Sequence, residues 1–226
     1  MMKCTKLSKK NLTGILQLSK ERIFNEIKKI IELENLINIG SNKEIEEIFG
    51  VVFPELKYLD RLKTINSNSY KKFIDTEKNL VLAILLIDYK DNHTYFAHKY
   101  KVSNFLKEYL NFLHTYFNEA KKNKNLLSKE LKKNIIYHGK ENIKSLAKFN
   151  FFMNTNKNHQ NLDNILKKID KINIPEFPIN GKQLLEKGFK SGRKVGEVLK
   201  KIEKKWIEND FNLNDEELKN IINKNI

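Results

Sequence analysis

At 226 residues with a single cysteine, Cys4, the chain has length for one large or two small hydrophobic cores but no internal disulfide framework. The formal net charge is +15; the single cysteine, the lack of any Cys/His cluster with zinc-site spacing, and a basic N-terminus followed by no signal-length apolar stretch point to the reducing cytoplasm. The most apolar run, residues 80–87, is far shorter than the roughly 20 residues that span a bilayer, so no membrane partner is predicted.

Three prolines and eight glycines give too little punctuation for many strands and hairpins, and helical periodicity dominates instead. In residues 19–36 the apolar positions Ile23, Phe24, Ile27, Ile30 and Ile31 form one stripe. Ser19 is placed as N-cap, Arg22 stands at the third helical position, and Glu21 favours the positive helix end. Further helices are predicted near residues 42–49, 54–62, 70–89, 101–122, 128–137 and 140–154, most of them apolar on one side. A Lys/Asn-rich stretch, a short amphipathic helix around 162–169 and the segment INIPEFPING follow. Pro175 and Pro178 favour extended backbone there, which marks 155–180 as the domain boundary.

The positive charge is uneven: +4 over residues 1–40, zero over 41–120, +9 over 121–172 and +2 over 173–226. A positive face suits a polyanion, whose phosphates release counterions when lysine and arginine neutralise them. Forty of the 43 basic residues are lysine, a bias that an AT-rich genome also produces by drift. The three arginines, Arg22, Arg61 and Arg193, therefore mark positions where a planar, multi-donor guanidinium is called for.

The tail, NGKQLLEKGFKSGRKVGEVLKKIEKKWIENDF, carries the densest signal. Asn180 caps a short helix through Leu185, Gly188 ends it in a left-handed conformation, and a second helix starts near Ser191 or Gly192. Free backbone N–H groups at that second start would lie beside Lys190, Arg193 and Lys194, which is what a phosphate requires. Residues 182–205 hold nine Lys/Arg against three Glu. Lys190, Ser191, Gly192, Arg193, Lys194, Lys200, Lys201, Lys204 and Lys205 are the candidate RNA contacts. The alternatives are that Gly188, Gly192 and Gly196 serve a tight helix crossing and that Lys200, Lys201, Lys204 and Lys205 form only a solvated face. Trp206, near Val198, Leu199 and Ile202, is read as core.

This tail resembles the C-terminal segment of bacterial tRNA nucleotidyltransferases, the CCA-adding enzymes, and their poly(A) polymerase relatives. LSKERIFNEIKKII resembles the neck that follows the catalytic head in that family, with Ser19, Glu21, Arg22 and Glu26 on its characteristic positions. YLDRL around Arg61 and the pattern through IIYHGKENIKSLAKF resemble the body. The resemblance implies an all-α, elongated neck and body array with a small helical tail domain. Its divisions are a neck remnant over 1–40, an RNA-binding body over 41–154, a linker over 155–180 and a tRNA- or phosphate-binding tail over 181–226.

In the family the head transfers nucleotides with two metal ions, yet here there is no glycine-rich nucleotide loop, Asp-x-Asp pair, RRD segment or EDxxR motif. Magnesium and CTP or ATP are therefore expected only in a missing head, and no catalytic or metal-binding residue is assigned. Asp88 and Asp91 are read as a cap and a solvated turn. A phosphohydrolase is disfavoured because His93, His98, His114, His138 and His159 include no His-Asp pair. The function expected is an RNA- or tRNA-binding fragment or subunit of a split nucleotidyltransferase or poly(A) polymerase, not an enzyme on its own. A separately encoded head would dock on the neck helix. A non-functional remnant and a protein-interaction scaffold without RNA binding are the alternatives.

Overall fold

The computed structural model describes residues 14, 17–33, 43–64, 77–154, 159–190 and 192–225. Every regular element among them is a helix, and no strand occurs, so the all-α expectation holds. The chain divides into two compact units, Met1–Asp170 and Lys171–Ile226.

The first unit is built around a helix that is apolar on every side. Helices α1 (Lys20–Ile31), α2 (Lys43–Val52) and a 3-10 turn (Leu59–Thr64) precede it. It is α3 (Lys78–Leu86), in which every residue from Leu80 to Leu86 is buried, as an all-apolar helix must be. Helices α4 (Asn92–Lys99), α5 (Asn104–Lys122), α6 (Leu131–His138), α7 (Lys140–Met153) and α8 (His159–Lys171) complete the unit. The core set includes Ile23, Ile27 and Ile31 of α1, Leu106, Leu110, Leu113 and Phe117 of α5, and Leu146, Phe149 and Phe152 of α7. Phe24 meets Phe96 edge-on at 5.8 Å, and Phe117 meets Phe149 at 5.2 Å.

Burying a helix leaves its last carbonyls in need of donors, because water cannot reach them. Side chains supply these donors. Arg61 Nη1 donates to the carbonyls of Ile84 and Ile87 at 2.8 Å each while its guanidinium stacks 3.5 Å from the Tyr58 ring centroid. Asn92 Nδ2 donates to Leu86 O and to Glu55 O, both at 2.8 Å. The buried Glu55 carboxylate accepts from Tyr100 Oη at 3.0 Å and Lys99 Nζ at 2.5 Å. Burial first, and Glu55 second, push the Tyr100 hydroxyl well above the usual tyrosine range, so it stays protonated and donates.

The same network explains where sequence expectation and structure part. The helix predicted over 54–62 is a turn through Glu55 followed by the 3-10 helix, since this segment's polar groups are engaged with the end of α3. Within the span predicted at 70–89 the described helix runs from Lys78 to Leu86, and Ile87 leaves it with an extended ψ of 121°. Helix α4 was not foreseen; NHTYFAHK is too polar to show an apolar stripe. Helix α1 stops at Ile31, with Glu32 as C-cap, rather than at Leu36. Helix α5 starts at Asn104 because Ser103 Oγ accepts from Leu106 N at 3.3 Å. Helix α6 starts at Leu131 rather than 128, and α8 extends beyond the expected 162–169 on both sides.

The second unit contains α9 (Gly181–Glu186), α10 (Arg193–Glu208) and α11 (Asp215–Asn223). Ile179, Leu184, Phe189, Val198, Ile202 and Ile222 form its own core. Trp206 is buried, as its spacing predicts, with edge-on contacts to Phe177 at 5.3 Å and Phe211 at 5.2 Å. Among the described residues no helix is long and apolar enough to cross a membrane.

Arg61→Ala removes the hydrogen bonds to Ile84 O and Ile87 O at the buried α3 terminus and should lower stability by about 2–3 kcal/mol in urea denaturation, whereas Arg61→Lys should recover part of it. Equal stability of the alanine variant and the parent would show that water satisfies these carbonyls.

Candidate nucleic-acid interface

The tail hairpin is fixed by local rules that place its cations. Asn180 caps α9 in a reciprocal box, its Oδ1 accepting from Gln183 N at 3.0 Å while Gln183 Oε1 accepts from Asn180 N at 2.8 Å. The helix ends where Gly188 takes a φ of +95°, and Phe189 N donates back to Leu184 O at 3.2 Å. Phe189 is buried, so the loop is anchored to the core of this unit from beneath. Gly192 precedes α10 with φ +124° and ψ −154°, a conformation open essentially to glycine alone, and as N-cap it offers no side chain. The first-turn N–H groups of α10 thus receive no side-chain cap from it and lie at the positive end of a 16-residue helix.

These glycines are required by backbone conformation and not by close helix packing. A Cβ at Gly188, Gly192 or Gly196 would meet nothing within 4 Å, which removes the tight-crossing alternative. Among the described glycines, a Cβ added at Gly181 would lie 3.7 Å from Val195 Cγ1, at ordinary van der Waals contact.

The structure sorts the nine candidate contacts into sets. Lys190, Gly192, Arg193 and Lys194 gather at the start of α10, all exposed, while Ser191 lies outside the described residues. The Arg193 side chain is 93% exposed and its Nε donates to Glu197 Oε1 at 2.8 Å. An exposed pair one turn apart is worth only about 0.3–0.5 kcal/mol, so a phosphate competes with it readily. Lys194 Nζ stands 5.9 Å from the Phe189 ring centroid. Lys200, also exposed, shares the outer face of α10 with Arg193.

Lys201, Lys204 and Lys205 line an open groove of about 460 Å³ between α10 and α11, with Lys224, Glu208 and Glu217. Lys201 Nζ donates to Asn225 Oδ1 at 2.5 Å, and Lys204 lies 3.9 Å from Glu208. Lys224 was not among the sequence candidates. It reaches the groove only because α11 folds back on α10, a contact that local charge density does not encode.

The neck residues occupy the start of α1. Ser19 Oγ accepts from Arg22 N at 3.3 Å, as a cap should. Glu21 pairs with Lys101 at 3.3 Å, and its carboxyl is held below the usual range by a backbone hydrogen bond and by that lysine. Glu26 pairs with Lys29 at 2.7 Å. Arg22 is exposed and lines a shallow depression with Leu18, Asn25 and Glu26. The apolar side of α1 is covered by the core of its own unit, which leaves a polar face outward.

The described histidines are packing or surface groups. His93 is buried with its ring 4.3 Å from that of His114, and burial together with His114 pushes its pKa down. His138 lies 4.4 Å from the Tyr116 ring, and His98 is exposed. The side chain of His159 lies outside the described residues. Asp88 Oδ1 accepts from the N–H groups of Lys90 at 2.9 Å and Asn92 at 3.4 Å, while the N-cap position of α4 is held by the exposed Asp91, which makes no side-chain capping hydrogen bond. No group of three or more His, Cys, Asp or Glu side chains arranged to hold a metal occurs among the described residues.

Residues 72–222, more than half of the chain, match the family model described as tRNA nucleotidyltransferase domain 2. The match takes in α3 through α11 to Ile222 and so includes the tail hairpin; α1 lies before it. A search of curated proteins returned no significant match.

Gly188→Ala and Gly192→Ala should each destabilise the tail unit by about 1–3 kcal/mol through backbone strain. Gly196→Ala, on an exposed position inside α10, should stabilise it by about 0.5–1 kcal/mol. Trp206, the single tryptophan, sits in this unit and reports its unfolding by fluorescence; the same sign for all three variants would refute the conformational argument.

Proposed function

Because the chain belongs to the tRNA nucleotidyltransferase domain 2 family, we propose that it binds tRNA or a related RNA through the tail hairpin. In this reading it contributes binding, and not phosphoryl transfer, to nucleotide addition. The observation that carries the proposal is the coincidence at Gly192: an uncapped helix start, the exposed cations Lys190, Arg193 and Lys194, and a loop fixed by Phe189. Helix dipole, backbone donors and side-chain charge all favour a phosphate there.

Lys200, Lys201, Lys204 and Lys205 extend the positive strip along α10, and Lys224 adds to it from α11. Contacts of this type hold a backbone in register without reading bases, so the hairpin recognises RNA as a polyanion of the right shape. With about five phosphate contacts, affinity falls with salt at a log slope of roughly −4.

Catalysis is assigned to a head that lies outside this sequence. The sequence carries no Asp-x-Asp pair or glycine-rich nucleotide loop, and two-metal phosphoryl transfer depends on such carboxylates. The surface offered to that head is the outward face of α1, where Arg22, Asn25, Glu26, Lys28 and Lys29 are exposed. A polar partner surface fits this face, since the isoleucine stripe is already occupied by the core.

The full chain should retard tRNA in a native gel at low salt, and Arg193→Glu with Lys194→Glu should weaken that shift about tenfold or more. Unchanged binding by the double variant would sink the hairpin assignment, and no binding by the parent would leave the scaffold reading. With CTP, ATP and magnesium, nucleotide addition to tRNA is expected only when a head protein is supplied; addition by the chain alone would overturn the division of labour.

A further inference from the structure

We propose that Tyr89, held by Lys121 beside the lysine run at the end of α5, is a stacking platform for an unpaired base of single-stranded RNA. This would be a second contact, in the first unit, and it rests on the RNA-binding reading above. The motivating observation is a contradiction in the ring's circumstances. Tyr89 is 72% exposed, yet it is firmly held.

Three features hold it. The turn that carries it is fixed on both sides, by Arg61 Nη1 on the Ile87 carbonyl at 2.8 Å and by Asp88 Oδ1 accepting from Lys90 N and Asn92 N. Its hydroxyl accepts from Lys121 Nζ at 2.8 Å. The same ammonium lies 4.2 Å from the Tyr89 ring centroid and 4.3 Å from that of Phe117, so the lysine is itself seated between two rings. An exposed tyrosine ordinarily loses side-chain entropy when a ligand stacks on it; here much of that ordering is already done.

The surroundings select the ligand. Lys121, Lys122 and Lys124 are exposed at the end of α5, and residues 121–129 contain four lysines and no acid. Lys121 and, behind it, Arg61 hold the Tyr89 hydroxyl below its usual range, which reports the positive field around the ring. A purely apolar protein patch has no use for such a field. A nucleotide does, because its base offers a π face to the tyrosine while its phosphate meets the ammonium groups. The base must be unpaired, since in a duplex both faces of an internal base are covered by its neighbours.

The experiment compares the full chain with its variants on two probes, a short single-stranded RNA and a blunt RNA duplex of the same length. Tyr89→Ala should weaken the single strand about tenfold and the duplex by less than about twofold, while Tyr89→Phe stays near the parent. Lys122→Glu with Lys124→Glu should make the log–log salt slope for the single strand shallower by about 1.4. Circular dichroism melts establish that the variants fold, and the conservative Tyr89→Phe variant carries the comparison if the alanine variant does not. Unchanged single-strand affinity of Tyr89→Ala, or equal losses on both probes, would overturn the proposal. If the Arg193→Glu, Lys194→Glu variant loses both RNAs while Tyr89→Ala loses neither, the stacking site falls and the tail hairpin stands. Failure of the parent to bind either probe removes both.

Discussion

The carbonyl end of α3 is the point on which the first unit turns. A helix of nearly uninterrupted aliphatic residues is driven to the centre by the hydrophobic effect, but it carries a polar terminus with it. Arg61, from a segment that precedes the helix by some twenty residues, and Asn92, the first residue of α4, close that terminus. Asn92 in turn holds the Glu55 backbone, whose carboxylate gathers Lys99 and Tyr100 from the end of α4. The polar network thus fixes the 3-10 segment and α4 against one helix end. Apolar packing sets how tightly the unit holds together, and this network sets which segments meet.

That arrangement shows what the sequence could reveal and what it could not. Periodicity located α1, α5 and α7 because each buries one stripe and solvates the other. It could not locate α4, whose burial of Asn92 and His93 depends on partners distant in sequence. It also assigned a helix to residues 54–62, where local propensity is overruled by the tertiary demand of α3. The rarity of arginine was a usable signal: Arg61 donates to two carbonyls and stacks on Tyr58 at once, a combination a point-like ammonium does not reproduce.

The candidate site was more legible than the body. Asn180, Gly188 and the start of α10 are governed by capping and by positive φ, rules that act over three or four residues and can be read directly. Lys224 and Tyr89 were invisible for the opposite reason. One reaches its groove by the return of α11, and the other gains its character from Lys121, thirty-two residues away. Charge counting by segment does not show this neighbourhood, because the ring lies in the neutral stretch 41–120 and the lysines beside it in the basic stretch 121–172.

Phe189 gives the tail unit a further property. Its ring belongs to the core while its backbone belongs to the loop between α9 and α10, so the loop cannot lose its shape without withdrawing a side chain from that core. Folding of the unit and assembly of the proposed anion site would therefore be one equilibrium. By mass action a polyanion at a hundred times its dissociation constant would add about 2.7 kcal/mol to a small unit that has little stability to spare. Through Phe189, an RNA bound as proposed would become part of what keeps the tail folded.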